Sequence, residues 1–251
     1  MTAFSLLRHS IAMVFRSPFE AFRCSLPMLV AFLAIAMGLW PLNTVLPANP
    51  IQWTPTGGPP QLTTNQIIHL ALAAILQIAA ANWTYVAWHR FVLLNERPDP
   101  VLPPFHGKLV WSYFIRSIAL AFMLLLMMLI PLVIVIILTV GLGEAMGTIG
   151  IAVVTVGGFY GFFRYSPYLT SAALAHPLTM AEARIATQPY SSQLWLVAII
   201  IIVASTAYNT LFAGASWLPA PVTVILDALL LIIGVSVLTT IYGVAVEERT
   251  I

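Results

Sequence analysis

"IRSIALAFMLLLMMLIPLVIVIIL", residues 115–138, decides the fold. It carries one charge, Arg116, near its start. Wound as a helix at about 1.5 Å per residue, such a run crosses the roughly 30 Å hydrocarbon core of a bilayer. The rest of the 251-residue chain agrees, being 61% hydrophobic and 7% charged, with a mean hydropathy of +0.98. A soluble domain carries about 25% charged residues, so these charges are too few to cover a water-facing surface. The composition requires a polytopic membrane protein in which lipid replaces water as solvent.

Five further apolar runs flank this one, at 26–41, 67–88, 149–169, 194–212 and 222–244. With their polar ends they predict spans near 18–41, 65–94, 113–140, 149–174, 192–213 and 221–246. The expected fold class is all-α: one integral membrane domain over 1–251, a bundle of six transmembrane helices. One or two amphipathic helices lie on its cytoplasmic face, at 2–16 and 179–188. The first run is the shortest and becomes long enough if its helix begins at Pro18. A cleaved signal peptide would need a short basic stretch before it, and the region preceding it is long and has helical patterning of its own. The one cysteine, Cys24, excludes an internal disulfide framework.

Charge sets the expected orientation. Arg8, Arg16 and Arg23 precede the first span, and Arg90, Arg97, Lys108 and Arg116 lie around the second connection. Arg164 and Arg184 flank the fourth, and Arg249 follows the last span. All ten basic residues therefore fall on one side. By the positive-inside rule both termini are expected in the cytoplasm, with the chain in a bacterial inner membrane. Trp83, Trp88, Trp111 and Trp195 are expected at the inner interface, and Trp40, Trp53 and Trp217 at the outer one.

In 2–16, Phe4, Leu7, Ile11 and Val14 follow helical spacing, with Arg8, His9 and Arg16 off that stripe. Ser17-Pro18-Phe19-Glu20 and Thr179-Met180-Ala181-Glu182 both read as capping boxes opening helices. Their likeness leaves open an internal repeat or the recurrence of a common motif.

Signatures of catalysis are few. The chain has no phosphate-binding glycine loop, no G-x-S-x-G and no H-E-x-x-H. His9, His69, His89, His106 and His176 lack metal-ligand spacing, so neither a metal nor another cofactor is implied, and nothing points to nucleic acid. Gly157 and Gly161 form a GxxxG, which serves either a dimer face or packing within one bundle. Polar groups inside spans are costly and so informative. Gln77, Asn82 and Asn209 are candidates for a polar path. Asp227 lies six residues after Pro221, roughly 9 Å along the helix from the outer end. His69 is its expected intramembrane partner; the ordinary alternative is a hydrated carboxyl near the interface.

Arg164 lies about 22 Å along its span, close to the inner boundary. Arg90 and Arg116 have the same expected depth. They are either three separate interface anchors, snorkelling to phosphates, or one anionic lipid headgroup site. Arginine suits the second use because it meets phosphate bidentately.

"RYSPYLTSAALAHPLTMAEAR", residues 164–184, resembles a segment of uncharacterised bacterial six-span inner-membrane proteins of the YciC-like kind. It is also similar to the membrane domain fused to some glycerophosphodiester phosphodiesterases. Arg164, Ser166, Leu169, Ala173, Thr179, Glu182 and Ala183 carry the likeness, and "WHRFVLLNERP", residues 88–98, adds to it. The resemblance implies a membrane bundle; the phosphodiesterase domain has no counterpart here. The expectation is a non-enzymatic inner-membrane protein acting through contacts with membrane lipids or another membrane protein. The alternatives are a transporter or permease component and, third, a lipid-modifying membrane enzyme.

Overall fold

The structure is a computed structural model, and it describes residues 2–43, 64–99, 101–212 and 220–250. Among these every regular element is helical: α1 (Ala3–Arg16), α2 (Pro18–Asn43), α3 (Thr64–Leu94), α4 (Gly107–Leu142), α5 (Glu144–Tyr165), α6 (Pro167–Ala173), α7 (Met180–Ala186), α8 (Ser191–Phe212) and α9 (Ala220–Ala245). A single 3-10 turn, Gln188–Tyr190, leads into α8. Helices α2, α3, α4, α5, α8 and α9 are long and apolar enough to cross a membrane. The chain is a multi-pass membrane helix bundle. The connections at 44–63 and 213–219, with Trp53 and Trp217, lie outside the described residues, as does the Trp40 side chain.

Two boundaries differ from the sequence reading for local reasons. The span expected at 149–174 is two helices, α5 and α6. The break falls where Pro167, which has no N–H to give, takes the first position of α6 after Ser166. Pro131 by contrast sits inside a continuous α4. Helix α5 also begins earlier than expected, because a single residue joins it to α4. That residue is Gly143, at φ 92°, a left-handed conformation open to glycine and strained for other residues.

The resulting α4–α5 hairpin is tight. A Cβ on Gly147 would collide with the Thr139 side chain, and one on Gly150 would lie 2.7 Å from Val135 Cγ2. One on Gly161 would lie 3.0 Å from Leu124 Cδ2. The close-packing stripe is therefore Gly147, Gly150 and Gly161, all facing α4 of the same chain. Gly157, the other half of the GxxxG, has open space around it.

Helix α9 is the central post. Half of its most apolar stretch is buried inside the bundle, against 11–28% for the other five spans. One cluster joins Ala3 and Leu6 of α1 to Phe163, Leu194, Val197, Val237 and Ile241. A second joins Val14, Cys24, Trp88, Ile232 and Val235, and a third joins Val86, Tyr113 and Leu120 to Leu169 and Ala173 of α6. All lie toward the end of the bundle that carries the arginines, called here the basic end. Away from it the helices expose their side chains, as at Leu125, Ile130, Ile137, Val153 and Val203.

Helix α1 is built into this core. Its buried face is Ala3, Leu6, Ser10 and Val14, while Phe4 and Ile11 of the expected stripe are exposed. Ser10 is buried because its hydroxyl bonds Thr240 Oγ1 of α9 at 2.9 Å. The two capping motifs also part company. Thr179 and Glu182 close a reciprocal box, with Thr179 N–H donating to Glu182 Oε2 at 2.7 Å and Glu182 N–H to Thr179 Oγ1 at 3.2 Å. Among the described residues neither Ser17 Oγ nor the Glu20 carboxylate makes such a bond.

Candidate functional site

The largest described cavity is a groove on α3, walled by α2 and α4, of about 560 Å³. Small-molecule sites span about 300–1,000 Å³. Its walls follow helical spacing: Pro27, Val30, Ala31 and Ala34 on α2; Ile75, Ile78, Ala79 and Asn82 on α3; Val110, Trp111 and Phe114 on α4. Small residues make the space, since Ala31, Ala34, Ala79 and Ala80 leave room that leucines would fill. The lining is apolar apart from Asn82 and the indoles of Trp83 and Trp111. The Asn82 amide is spent within its own helix, donating to the Ile78 carbonyl at 2.7 Å.

The 95–106 connection closes the groove at the basic end through Leu102 and Phe105. Asn95, at φ 55°, turns the chain out of α3. Arg90 Nε then donates to Glu96 Oε2 at 2.6 Å, and His106 Nε2 lies 2.6 Å from Glu96 Oε1. Trp83 Nε1 donates to the Pro104 carbonyl at 3.3 Å, and its ring meets Phe105 edge-on at 5.0 Å. Partial burial works against ionised Glu96. Hydrogen bonds from His106 and Arg90, and the charges of those groups, outweigh it and hold the carboxyl below the usual carboxylate range. This acid–base cluster borders a cavity of only about 10 Å³, lined also by Cys24, Pro98 and Pro103. That is room for about one water and none for a substrate.

Arg90 and Arg116 bond backbone carbonyls of one short segment, 168–178, whereas Arg164 bonds elsewhere. Arg90 Nη1 donates to the Ala173 carbonyl at 3.2 Å, at the end of α6. Arg116 Nη1 donates to the carbonyls of Tyr168 at 3.1 Å and Leu178 at 2.7 Å, with its guanidinium 4.3 Å from the Tyr168 ring centre. Arg164 donates to Tyr160 Oη at 2.8 Å, Ser191 Oγ at 3.2 Å and the Arg184 carbonyl at 3.4 Å. Ala173 ends α6, where a helix leaves carbonyls without partners, and the half-buried Arg90 there meets both the bond and the dipole. The sequence alternatives were anchors or a headgroup site; the geometry adds a third use, stapling α6 and α7 to the spans.

The remaining expected residues are dispersed. Asp227 Oδ1 accepts from Tyr208 Oη at 2.7 Å, while His69 Nδ1 lies 2.7 Å from the carbonyl of Asn65 in its own helix. Among the described residues no hydrogen bond or ion pair joins His69 to Asp227. Gln77 is half-buried on α3, and Asn209 is exposed on α8. Sequence reasoning passed over His89, which is fully buried. The Thr239 hydroxyl gives its hydrogen to the Val235 carbonyl, so His89 Nδ1 donates to Thr239 Oγ1, at 2.9 Å. His89 Nε2 lies 3.4 Å from Tyr113 Oη. This node ties α3, α4 and α9 together. Its only sequence signal is a histidine beside Arg90.

Comparison with protein-family models, curated proteins and solved structures finds no match to the chain.

Proposed function

We propose that this is a non-enzymatic inner-membrane protein of a bacterium, with both termini in the cytoplasm, that works by holding lipid hydrocarbon in the α2–α3–α4 groove. The groove itself carries the reading. It is apolar, about 560 Å³, and lies along helices that cross the membrane. In a bilayer such a space is filled by an acyl chain or by another helix, because an empty one forfeits the contacts of its lining. A transporter would use a polar route near the midplane; of the polar candidates Asn82 lines this cavity with its amide bonded within its own helix, and Gln77, Asn209 and Asp227 do not line it. The ten basic residues at one end support the orientation.

The test is native mass spectrometry of protein extracted in mild detergent. Lipid should remain bound in fixed ratio, and filling the groove with Ala34→Trp or Ala79→Trp should remove it. Both alanines are exposed, so the bundle tolerates the larger ring. Loss of all lipid from the unaltered protein, or retention that ignores both substitutions, sinks the reading. A fluorescent-protein fusion at the C-terminus, which lights up in the cytoplasm only, checks orientation.

A further inference from the structure

We infer that the groove takes an anionic phospholipid, its chain along α3 and its phosphate against Arg23 and Lys108 at the basic end. The inference rests on the lipid-binding reading above and adds the chemistry of the ligand. Helix geometry carries it. Pro27, Val30, Ala31 and Ala34 define the groove face of α2. Arg23 is four residues before Pro27 and falls on the same stripe, one turn nearer the basic end. It is half-buried, and among the described residues it has no hydrogen bond, ion pair or ring contact. Glu20, three residues before it on the same face, makes no ion pair with it. A half-buried guanidinium without a partner is costly unless a ligand supplies one.

The opposite wall repeats the pattern. Lys108 follows Gly107 and precedes Trp111 by three residues, and both neighbours line the groove. Lys108 is exposed and also unpaired among the described residues. Arg90 is committed to Glu96 and Ala173, and Arg116 to Tyr168 and Leu178; Arg97, exposed on the 95–106 connection, does not line the groove. The end of the groove therefore presents two free positive charges above an apolar trough. A lipid whose headgroup phosphate has no balancing amine complements both halves. A zwitterionic headgroup brings its own cation toward Arg23 and Lys108 and gains less.

The experiment compares binding of phosphatidylglycerol and phosphatidylcholine to the full chain by native mass spectrometry at low salt. Phosphatidylglycerol should bind more tightly, by about fivefold for each cation. Arg23→Gln and Lys108→Gln together should abolish the preference while leaving phosphatidylcholine binding unchanged, and Arg23→Lys should retain most of it. Ala79→Trp should weaken both lipids equally. Binding without charge preference, or a preference that survives the double substitution, overturns this inference and leaves the groove reading standing. Lipid binding untouched by Ala34→Trp and by Ala79→Trp overturns both.

Discussion

Truncating Arg116 to alanine removes a charged donor from two carbonyls and a guanidinium from the face of Tyr168. Bonds to charged donors are worth about 1.5–3 kcal/mol, and the abandoned carbonyls remain half-buried. The expected loss is about 2–4 kcal/mol, read as a fall in the thermal unfolding midpoint in detergent. Arg116→Lys should recover only part of it, because an ammonium does not stack on the Tyr168 ring as a planar guanidinium does. Glu96 gives the residue scale a pH dependence. Its carboxyl is held below the usual range, so its contribution is whole above the unfolded value. That contribution is lost as pH falls through the folded value and Arg90 and His106 lose their partner. Melting curves taken downward from pH 6 should show an acid-side loss of stability that Glu96→Gln reduces. The helices that carry Arg90, Arg116 and Arg164 were legible in the sequence as long apolar runs. The partners of these arginines were not, because the carbonyls Arg116 meets lie 52 and 62 residues further along.

Among elements, the α4–α5 hairpin is the most constrained by side-chain size. Gly147→Val should cost about 1–3 kcal/mol, since the added carbons meet Thr139. Gly157→Ala should change stability by less than about 0.5 kcal/mol, having nothing to meet. The two unfolding midpoints measured side by side check this, and equal effects would count against the hairpin. The sequence offered Gly157 and Gly161 as one motif, and spacing alone did not say which of them faces a helix. Capping separates in the same way. Thr179→Ala should destabilise by about 1 kcal/mol, whereas Ser17→Ala should be close to neutral in the same assay. Both motifs satisfy the sequence pattern, but α1 runs up to Ser17, and its backbone N–H is taken by the Val14 carbonyl. Helix α1 itself was legible as a helix and misleading as a surface. Its buried face includes Ser10, a polar residue whose hydroxyl finds partners in the Leu6 carbonyl and Thr240 Oγ1.

At the scale of the whole molecule, packing is concentrated at the basic end. Leu120→Ala or Leu194→Ala, at fully buried positions, should cost about 2–5 kcal/mol. Leu125→Ala or Leu211→Ala, on exposed surface, should cost far less in the same unfolding assay. Comparable losses at all four would mean that the helices pack along their full length. The six-span, all-helical class was legible from hydropathy, because lipid imposes length and apolarity on every crossing. The centrality of α9 was not, since a buried span and a lipid-facing span are equally apolar.

That last helix has a consequence for how the protein is made. The ribosome delivers α1 well before α9, yet Ser10 finds a partner on α9 and Arg249 donates to the Leu93 carbonyl of α3. Until residues 220–250 emerge, α1 has Phe163 and Leu194 to pack on but lacks Val237 and Ile241, the α9 side of its core. Assembly of the basic end therefore waits on residues 220–250, and a nascent chain stalled before them would lack these contacts.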